Sequence, residues 1–320
     1  MSDLDLLEGG VDDTATIADI ATAQSPDEPV DPVIERYYWE QRTESEAARF
    51  KLGRLHGEIV GFALIEHRVW PTEDESRGAY LQVGIRPEAM TPARVRQLIE
   101  AGLEMLRSDG ARVVESLAFE DQLWLREALV AAGIEQDHLS KRWELDLVAQ
   151  RQNLLRAADE VRARSRALGL RVQTLADCRL PDKLTRLHAL HELARNDVPR
   201  SVPALPNPKE LFLKLLRMPG TLEDRFWVAE LDGELVGMSY LRFPPVRGHV
   251  WTGFTASHPE HRGKGIAKAV KMESLVQAIE LGIPLVRTDN DERNAPMLRI
   301  NEQLGYHAIP AWVDHLKRLS

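Results

Sequence analysis

The segment WTGFTASHPEHRGKGIAKAVK (residues 251–271) holds the residue types and spacing best suited to chemistry. An extended stretch ends at Pro259, and Arg262-Gly263-Lys264-Gly265-Ile266-Ala267 then opens a helix predicted to run to Leu281. Glycines 263 and 265 carry no Cβ where a backbone must approach a ligand closely. First-turn N–H groups lack intrahelical acceptors, point outward and lie at the positive end of the helix dipole. They make a seat for a pyrophosphate, to which Arg262 and Lys264 add charge. Spacing alone leaves a phosphate cradle and a tight structural turn both open. It excludes two other motifs: the dinucleotide pattern G-x-G-x-x-G fails at Lys268, and no G-x-x-x-x-G-K-[ST] occurs.

Other reactive side chains are more scattered. His188 and His191 stand at i, i+3 on a predicted helix, but the spacing H-E-x-x-H is absent and no third ligand is in view, so no metal is expected. Asp289 and Asp291 bracket the end of a predicted strand, where they either face a bound amine or cap a loop. The single cysteine, Cys178, is expected to be a buried thiol, and Trp227, Trp251 and Trp312 core residues.

The elements that must position these residues are written twice. LHGEIVGFALI (55–65) and LDGELVGMSYL (231–241) both read as strand hairpins around a Gly turn, with Gly57 matching Gly233 and Gly61 matching Gly237 at an offset of 176. The offset then becomes 172, matching Pro87 with Pro259, Gly110 with Gly282 and Gly133 with Gly305. Each copy reads as an opening helical region, a hairpin, a strand ending in Pro-Glu, a long amphipathic helix stopped by Gly, a strand, a short helix and a closing strand. RWELDL (142–147) is expected to close the first copy and the stretch around Ala308–Leu316 the second. Residues 148–168 read as a solvated connecting helix around which Arg162, Arg164 and Arg166 fan, and Asn207 as the N-cap of a helix begun by Pro208.

Length and charge bound the rest. A chain of 320 residues suggests two domains of ~150 residues. The net charge of −9 lies in residues 1–31, which hold nine acids and no Lys or Arg, leaving a neutral body with no basic nucleic-acid face. No apolar run approaches the ~20 residues of a membrane span, the first residues are acidic rather than a basic leader, and one cysteine fits a reducing, cytoplasmic setting.

Arg262-x-x-Gly265-x-Ala267 after a strand ending in His-Pro resembles the Q/R-x-x-G-x-G/A signature of the GCN5-related N-acetyltransferase (GNAT) family. The hairpin VAELDGELVGMSYL (228–241) and the segment TDNDERNAPMLRINEQLGY (288–306) match the family in type and order. The second copy carries these motifs; the first matches in layout only, with Met90, Thr91, Pro92 and Ala93 where the cradle should be. The resemblance implies an α/β chain of two tandem acyl-CoA N-acyltransferase-like domains, each a twisted mixed sheet flanked by helices.

It further implies that the amides of Arg262, Gly263, Lys264, Gly265, Ile266 and Ala267 hold the pyrophosphate of acetyl-CoA. The main chain of Thr255, Ala256 and Ser257 would bond the pantetheine arm, with Asn294 contacting it. Two departures stand out. Asn301 occupies the position where relatives commonly carry the tyrosine that protonates the leaving thiolate, and Trp251 replaces a glutamate base. His249 becomes the candidate proton acceptor, beside a water-mediated route.

The expected organisation is an acidic flexible tail (1–12), a degenerate N-terminal domain (13–147), a connecting helix (148–169) and an acetyl-CoA-binding domain (170–320). The expected activity is acetyl transfer from acetyl-CoA to a primary amine of a small molecule, in a ternary complex formed by a monomer or homodimer. The alternative is a non-catalytic acyl-CoA-binding or regulatory module.

Overall fold

Each half of the chain builds the same succession of elements in the computed structural model, which describes residues 3–319. Met1, Ser2 and Ser320, the ends of the expected tail and second domain, lie outside the described residues. The first half runs β1 (Asp5–Glu8), α1 (Thr14–Gln24), α2 (Pro32–Glu40), β2 (Glu46–Leu55), β3 (Glu58–Arg68), β4 (Gly78–Ile85), α3 (Pro92–Asp109), β5 (Val113–Phe119), α4 (Leu123–Ala131) and β6 (Glu135–Asp146). Helix α5 (Arg151–Ala167) connects. The second half runs β7 (Arg171–Thr174), α6 (Lys183–Arg195), α7 (Lys209–Leu216), β8 (Phe226–Leu231), β9 (Glu234–Arg242), β10 (Val250–Ser257), α8 (Ile266–Glu280), β11 (Leu285–Asp291), α9 (Ala295–Leu304) and β12 (His307–Arg318).

The matched hairpins use one turn chemistry. His56-Gly57 and Asp232-Gly233 both take positive φ, which suits the twist of the flanking strands. The helix stops at Gly110, Gly133 and Gly305 are likewise left-handed.

The closing strands do not close their own copies. The sheet is continuous, in the order β1-β2-β3-β4-β5-β12-β6-β11-β10-β9-β8-β7. β12 runs antiparallel to β5, from Trp312↔Phe119 to Arg318↔Val113, and β6 runs antiparallel to β11, from Leu285↔Asp146 to Asp291↔Ser140. Each half therefore lends its last strand to the other, and β6 and β12 pair with each other at the centre. The repeat in the sequence is symmetric under this exchange, so it could not reveal it.

Helices α3, α4, α5, α8 and α9 bury one face of the sheet around Leu98, Leu103, Met272 and Leu275. On the opposite face α1 packs on β3 and β4 while α6 packs on β9 and β10, leaving β5, β12, β6 and β11 between the two helix pairs.

The acidic leader is ordered rather than loose. Residues 5–8, expected in a flexible tail, pair with β2, and Arg94 grips the Asp3 carboxylate with two bonds of 2.7 Å. Asp31 spans the halves: one oxygen caps α2 at Val33 N and Ile34 N, and the other accepts from Val246 N and Arg247 N in the β9–β10 loop. Although burial opposes it, these four N–H groups hold its carboxyl below the usual range. The acids thus serve as caps and ties to basic or N–H-rich surfaces.

Two local expectations also shift. Helix α7 starts at Lys209, with Pro208 at the cap, because the Asn207 backbone is taken by α6: its N–H donates to Glu192 (3.0 Å) and its carbonyl bonds His188 Nε2 (2.7 Å). Helix α5 is not wholly solvated, since Arg162 donates twice to Glu273 of α8 at 2.7 Å. Among the described residues no helix is long and apolar enough to cross a membrane.

Candidate active site

Strands β10 and β11 pair in parallel only at Val250↔Val286 and Trp251↔Arg287, then part. A bulge at Gly253 bends β10 away from the ladder. From Thr252 to Ser257 the other edge of β10 stays paired with β9, so the edge facing the gap keeps free backbone groups. Thr255, Ala256 and Ser257 lie along that edge, suited to an extended amide-bearing arm.

The cradle opens at the end of this strand. Gly263 and Gly265 hold φ of 76° and 84°, with open space where a Cβ would stand. Gly265 caps α8 without any side-chain bond, and the first bond into the helix runs from Ala269 N to Gly265 O. The N–H groups from Gly263 to Lys268 have no backbone partner among the described residues. Lys264 Nζ rests on His261 Nδ1 at 3.1 Å, Lys268 Nζ on Gln303 at 3.1 Å, and Arg262 is paired with Asp197 from the loop after α6. Bare donors in a left-handed glycine turn, edged by three cations, fit a pyrophosphate.

The first half shows the opposite condition. Thr91 Oγ1 caps α3 by accepting from Arg94 N, Pro92 removes a donor, and the Arg94 side chain reaches back to the Ala89 carbonyl at 2.8 Å. Its sheet still splays, with β4 and β5 paired only at Gly78↔Val113, Ala79↔Val114 and Tyr80↔Glu115. Gln24 of α1 reaches one edge of that gap, its Oε1 accepting from Ile85 N at 3.0 Å.

Behind the β10–β11 gap, on the α8 side, lies a buried polar cluster. Lys271 Nζ donates to Asn301 Oδ1 (2.8 Å), and Asn301 Nδ2 donates to Asn290 Oδ1 (2.7 Å). Lys271 and Asn301 are both 0% exposed, and the ammonium lies 4.8 Å from the Tyr306 ring centre. Burial brings the Lys271 amine down to about 7. Thr252 Oγ1 and the Tyr306 hydroxyl are buried nearby without hydrogen-bond partners. Tyr306 packs in the core. Lys271 was missed in the sequence because it looks like an ordinary surface residue of a helix. Its burial arises because α8 is covered on both sides, by the sheet and by α5.

On the opposite face Asp289 sits across the ladder from Arg142 and accepts from Trp251 Nε1 at 3.3 Å. Water reaches its carboxyl although protein surrounds it, and the crowding raises its pKa against the pull of Trp251, Arg142 and Lys271. Arg142 is buried beside Phe119, Trp312 and Trp251, and pairs with Glu28 of the first half. Asp291 serves its loop, bonding Arg293 N and the Arg293 side chain.

The remaining expected residues are placed elsewhere. His249 precedes β10 and bonds the Asp27 carbonyl of the first half (2.9 Å). Asn294 caps α9, accepting from Met297 N. His191 is buried against Phe212 and Phe254, and desolvation drops its pKa to about 4. Cys178 is buried as expected. Among the described residues one group, His258, Glu260 and His261, brings three possible metal-ligand atoms within 4.8 Å, all at the surface beside the cradle.

Residues 187–306 match the model of the Acetyltransferase (GNAT) family. The family match lies within the second half, and the whole chain has the fold of a tandem GNAT protein. It is similar to a tandem GNAT protein from the clavulanic acid biosynthesis pathway, solved without AcCoA: the TM-score is 0.75 at 18% identity, over 98% of each chain. It also resembles a GNAT protein from Sphaerobacter thermophilus (TM-score 0.64, 16% identity, 99% of this chain and 96% of that one). A third likeness is to an acetyltransferase described as putative from Pyrococcus horikoshii (0.59, 12%, 100% and 91%). At these identities the solved structures speak for the fold. Fold and family together support acyl-CoA-dependent acyl transfer.

Proposed function

We propose that the second half transfers an acetyl group from acetyl-CoA to the primary amine of a small molecule, with both bound at once. The observation that carries this reading is the bare N-terminus of α8, with Gly263 and Gly265 left-handed and open, at the mouth of the β10–β11 gap. The amides of Gly263 to Ala267 would hold the pyrophosphate, the Arg262 N–H being already donated to the Pro259 carbonyl, and the β10 edge at Thr255 to Ser257 the arm, aligning the thioester with the base of the gap.

The thioester supplies an activated carbonyl. The amine nitrogen forms a bond to that carbon, the carbon–sulfur bond breaks, the nitrogen loses one proton and the sulfur leaves as thiolate, to be protonated. Asp289, on the open face at the gap's base, accepts the amine proton in this reading. A carboxyl with a raised pKa is a better base than an ordinary one. His249 is turned to Asp27 and is the weaker candidate. The thiolate's proton comes from the Lys271 side of the gap, because both ends of the Asn301 amide are engaged.

That engagement of Asn301 is also what favours the second reading, a non-catalytic acyl-CoA-binding module. Calorimetric titration with acetyl-CoA is expected to give one site per chain, abolished by Gly265→Glu, which places a carboxylate and bulk in the pyrophosphate seat. Substitutions at Thr91 or Ala93 should leave it intact. Unchanged affinity in Gly265→Glu would remove the site. Release of CoA with an amine present separates enzyme from binding module.

A further inference from the structure

The acetyl acceptor can be placed more closely, on the strength of the acetyltransferase reading above. A cavity of about 330 Å³ lies in the first half's own gap, between β4 and β5, and extends to Arg242 and Trp251 of the second half. We propose that this vacated gap is the acceptor pocket of the second half, and that it takes a small arylalkylamine bearing a carboxylate on the far side of its ring from the amine.

The first half no longer has a use for its gap as a cofactor slot. Its cradle is capped by Thr91, and Gln24 seals the strand edge at Ile85. What remains is lined by Tyr80, Phe119 and Trp312 on the first-half side and by Trp251 on the other, with the Phe119 and Trp312 rings 4.7 Å apart. Such walls favour a flat apolar body. The volume is at the lower end of small-ligand pockets, which limits the occupant to a compact molecule.

Polar groups fix its orientation. Arg242 lines the cavity, forms no ion pair among the described residues, and keeps a buried Nε with no hydrogen-bond partner. Its companions are the Tyr38 and Tyr240 phenols, which are neutral. A desolvated guanidinium donor left unpaired is costly, and a carboxylate satisfies it with a charge-assisted bond. Arg242 is the ladder neighbour of Trp251, whose indole N–H holds Asp289. Arg242 thus faces Trp251 across the ladder, and the indole crosses to Asp289, two residues past its own β11 partner Arg287, which gives the order acid-binding, ring-stacking, amine-binding. Glu28 lines the cavity but is already paired with Arg142 and Arg287, so the nitrogen must reach past Trp251 to Asp289, which stands just outside the lining.

The test is calorimetry on the full chain with acetyl-CoA, 4-(aminomethyl)benzoate and benzylamine as probes. 4-(Aminomethyl)benzoate is expected to bind at least about tenfold more tightly than benzylamine, which lacks the carboxylate, and Arg242→Met should erase that preference. Gln82→Trp, which fills the cavity from β4, should abolish binding of both amines while acetyl-CoA still binds, showing that the chain is folded. If acetyl-CoA binds to the native chain but neither amine does, or if Arg242→Met leaves the preference intact, the pocket assignment falls and the acetyltransferase reading stands. Failure of acetyl-CoA itself to bind overturns both.

Discussion

Lys271 Nζ donates to Asn301 Oδ1 at 2.8 Å, and both side chains are completely buried. The amide that stands where the resemblance expects an acid thus has an amine behind it. No carboxylate lies within ion-pair distance of Lys271 among the described residues, and burial sets its pKa near 7, where an ammonium gives up a proton readily. Lys271→Met is expected to lower kcat by about tenfold or more while leaving acetyl-CoA affinity within about twofold. The alkaline limb of the kcat profile near neutral pH should disappear with it. An unaltered pH profile in Lys271→Met would exclude the amine from proton transfer.

The same burial has a consequence for stability. In the unfolded chain the lysine titrates near 10.5, in the folded chain near 7, so between these values the unfolded state binds more protons. Stability contributed by this site therefore rises with pH through that window and is lowest below 7, where the charge is buried in full. A tenfold difference in proton affinity between the two states corresponds to ~1.4 kcal/mol. Melting temperatures of the native chain and of Lys271→Met should differ most at pH 6, in favour of the methionine variant, and converge toward pH 10. A gap that stays constant with pH would show that the amine is not perturbed.

How much of this was legible in the sequence depends on whether the signal was local. The hairpins at Gly57 and Gly233, the stops at Gly110 and Gly305 and the turn at Gly263-Gly265 are local, and each is where spacing put it. Partners distant in sequence were not. Lys271 reads as a solvent-facing residue until α5 is known to cover α8, and Arg142 as a strand charge until Phe119 and Trp312 surround it. The acids of residues 3–31 suggest disorder by composition, yet Arg94, Arg247 and Arg287 wait for them on other elements. Composition reports how much charge a segment carries, and nothing of the cations it will meet.

Asp197 on Arg262 offers a third test. The pair is about half-exposed on both sides, so its own contribution is small. It nonetheless places a carboxylate where the cofactor's phosphate oxygens would go. Asp197→Ala is expected to tighten acetyl-CoA binding by about two- to fivefold at low salt, with the gain shrinking as salt is added. Weaker binding in that variant would mean that Asp197 positions the cradle rather than competing for it.

The exchanged strands make the halves one folding unit. β12 is held between β5 and β6, and β6 also holds β11, so neither half keeps a complete sheet if the other opens. Leu81 is fully buried on β4, far along the sheet from β10. Leu81→Ala should cost ~2–5 kcal/mol by the cavity it leaves. Because the halves are tied, that loss should lower the melting of the whole chain in a single calorimetric transition, and protection of amides in β10 and β11 against hydrogen exchange should fall with it. Two resolved transitions, with only the first moved by Leu81→Ala, would show that each half retains its structure without the strand it borrows.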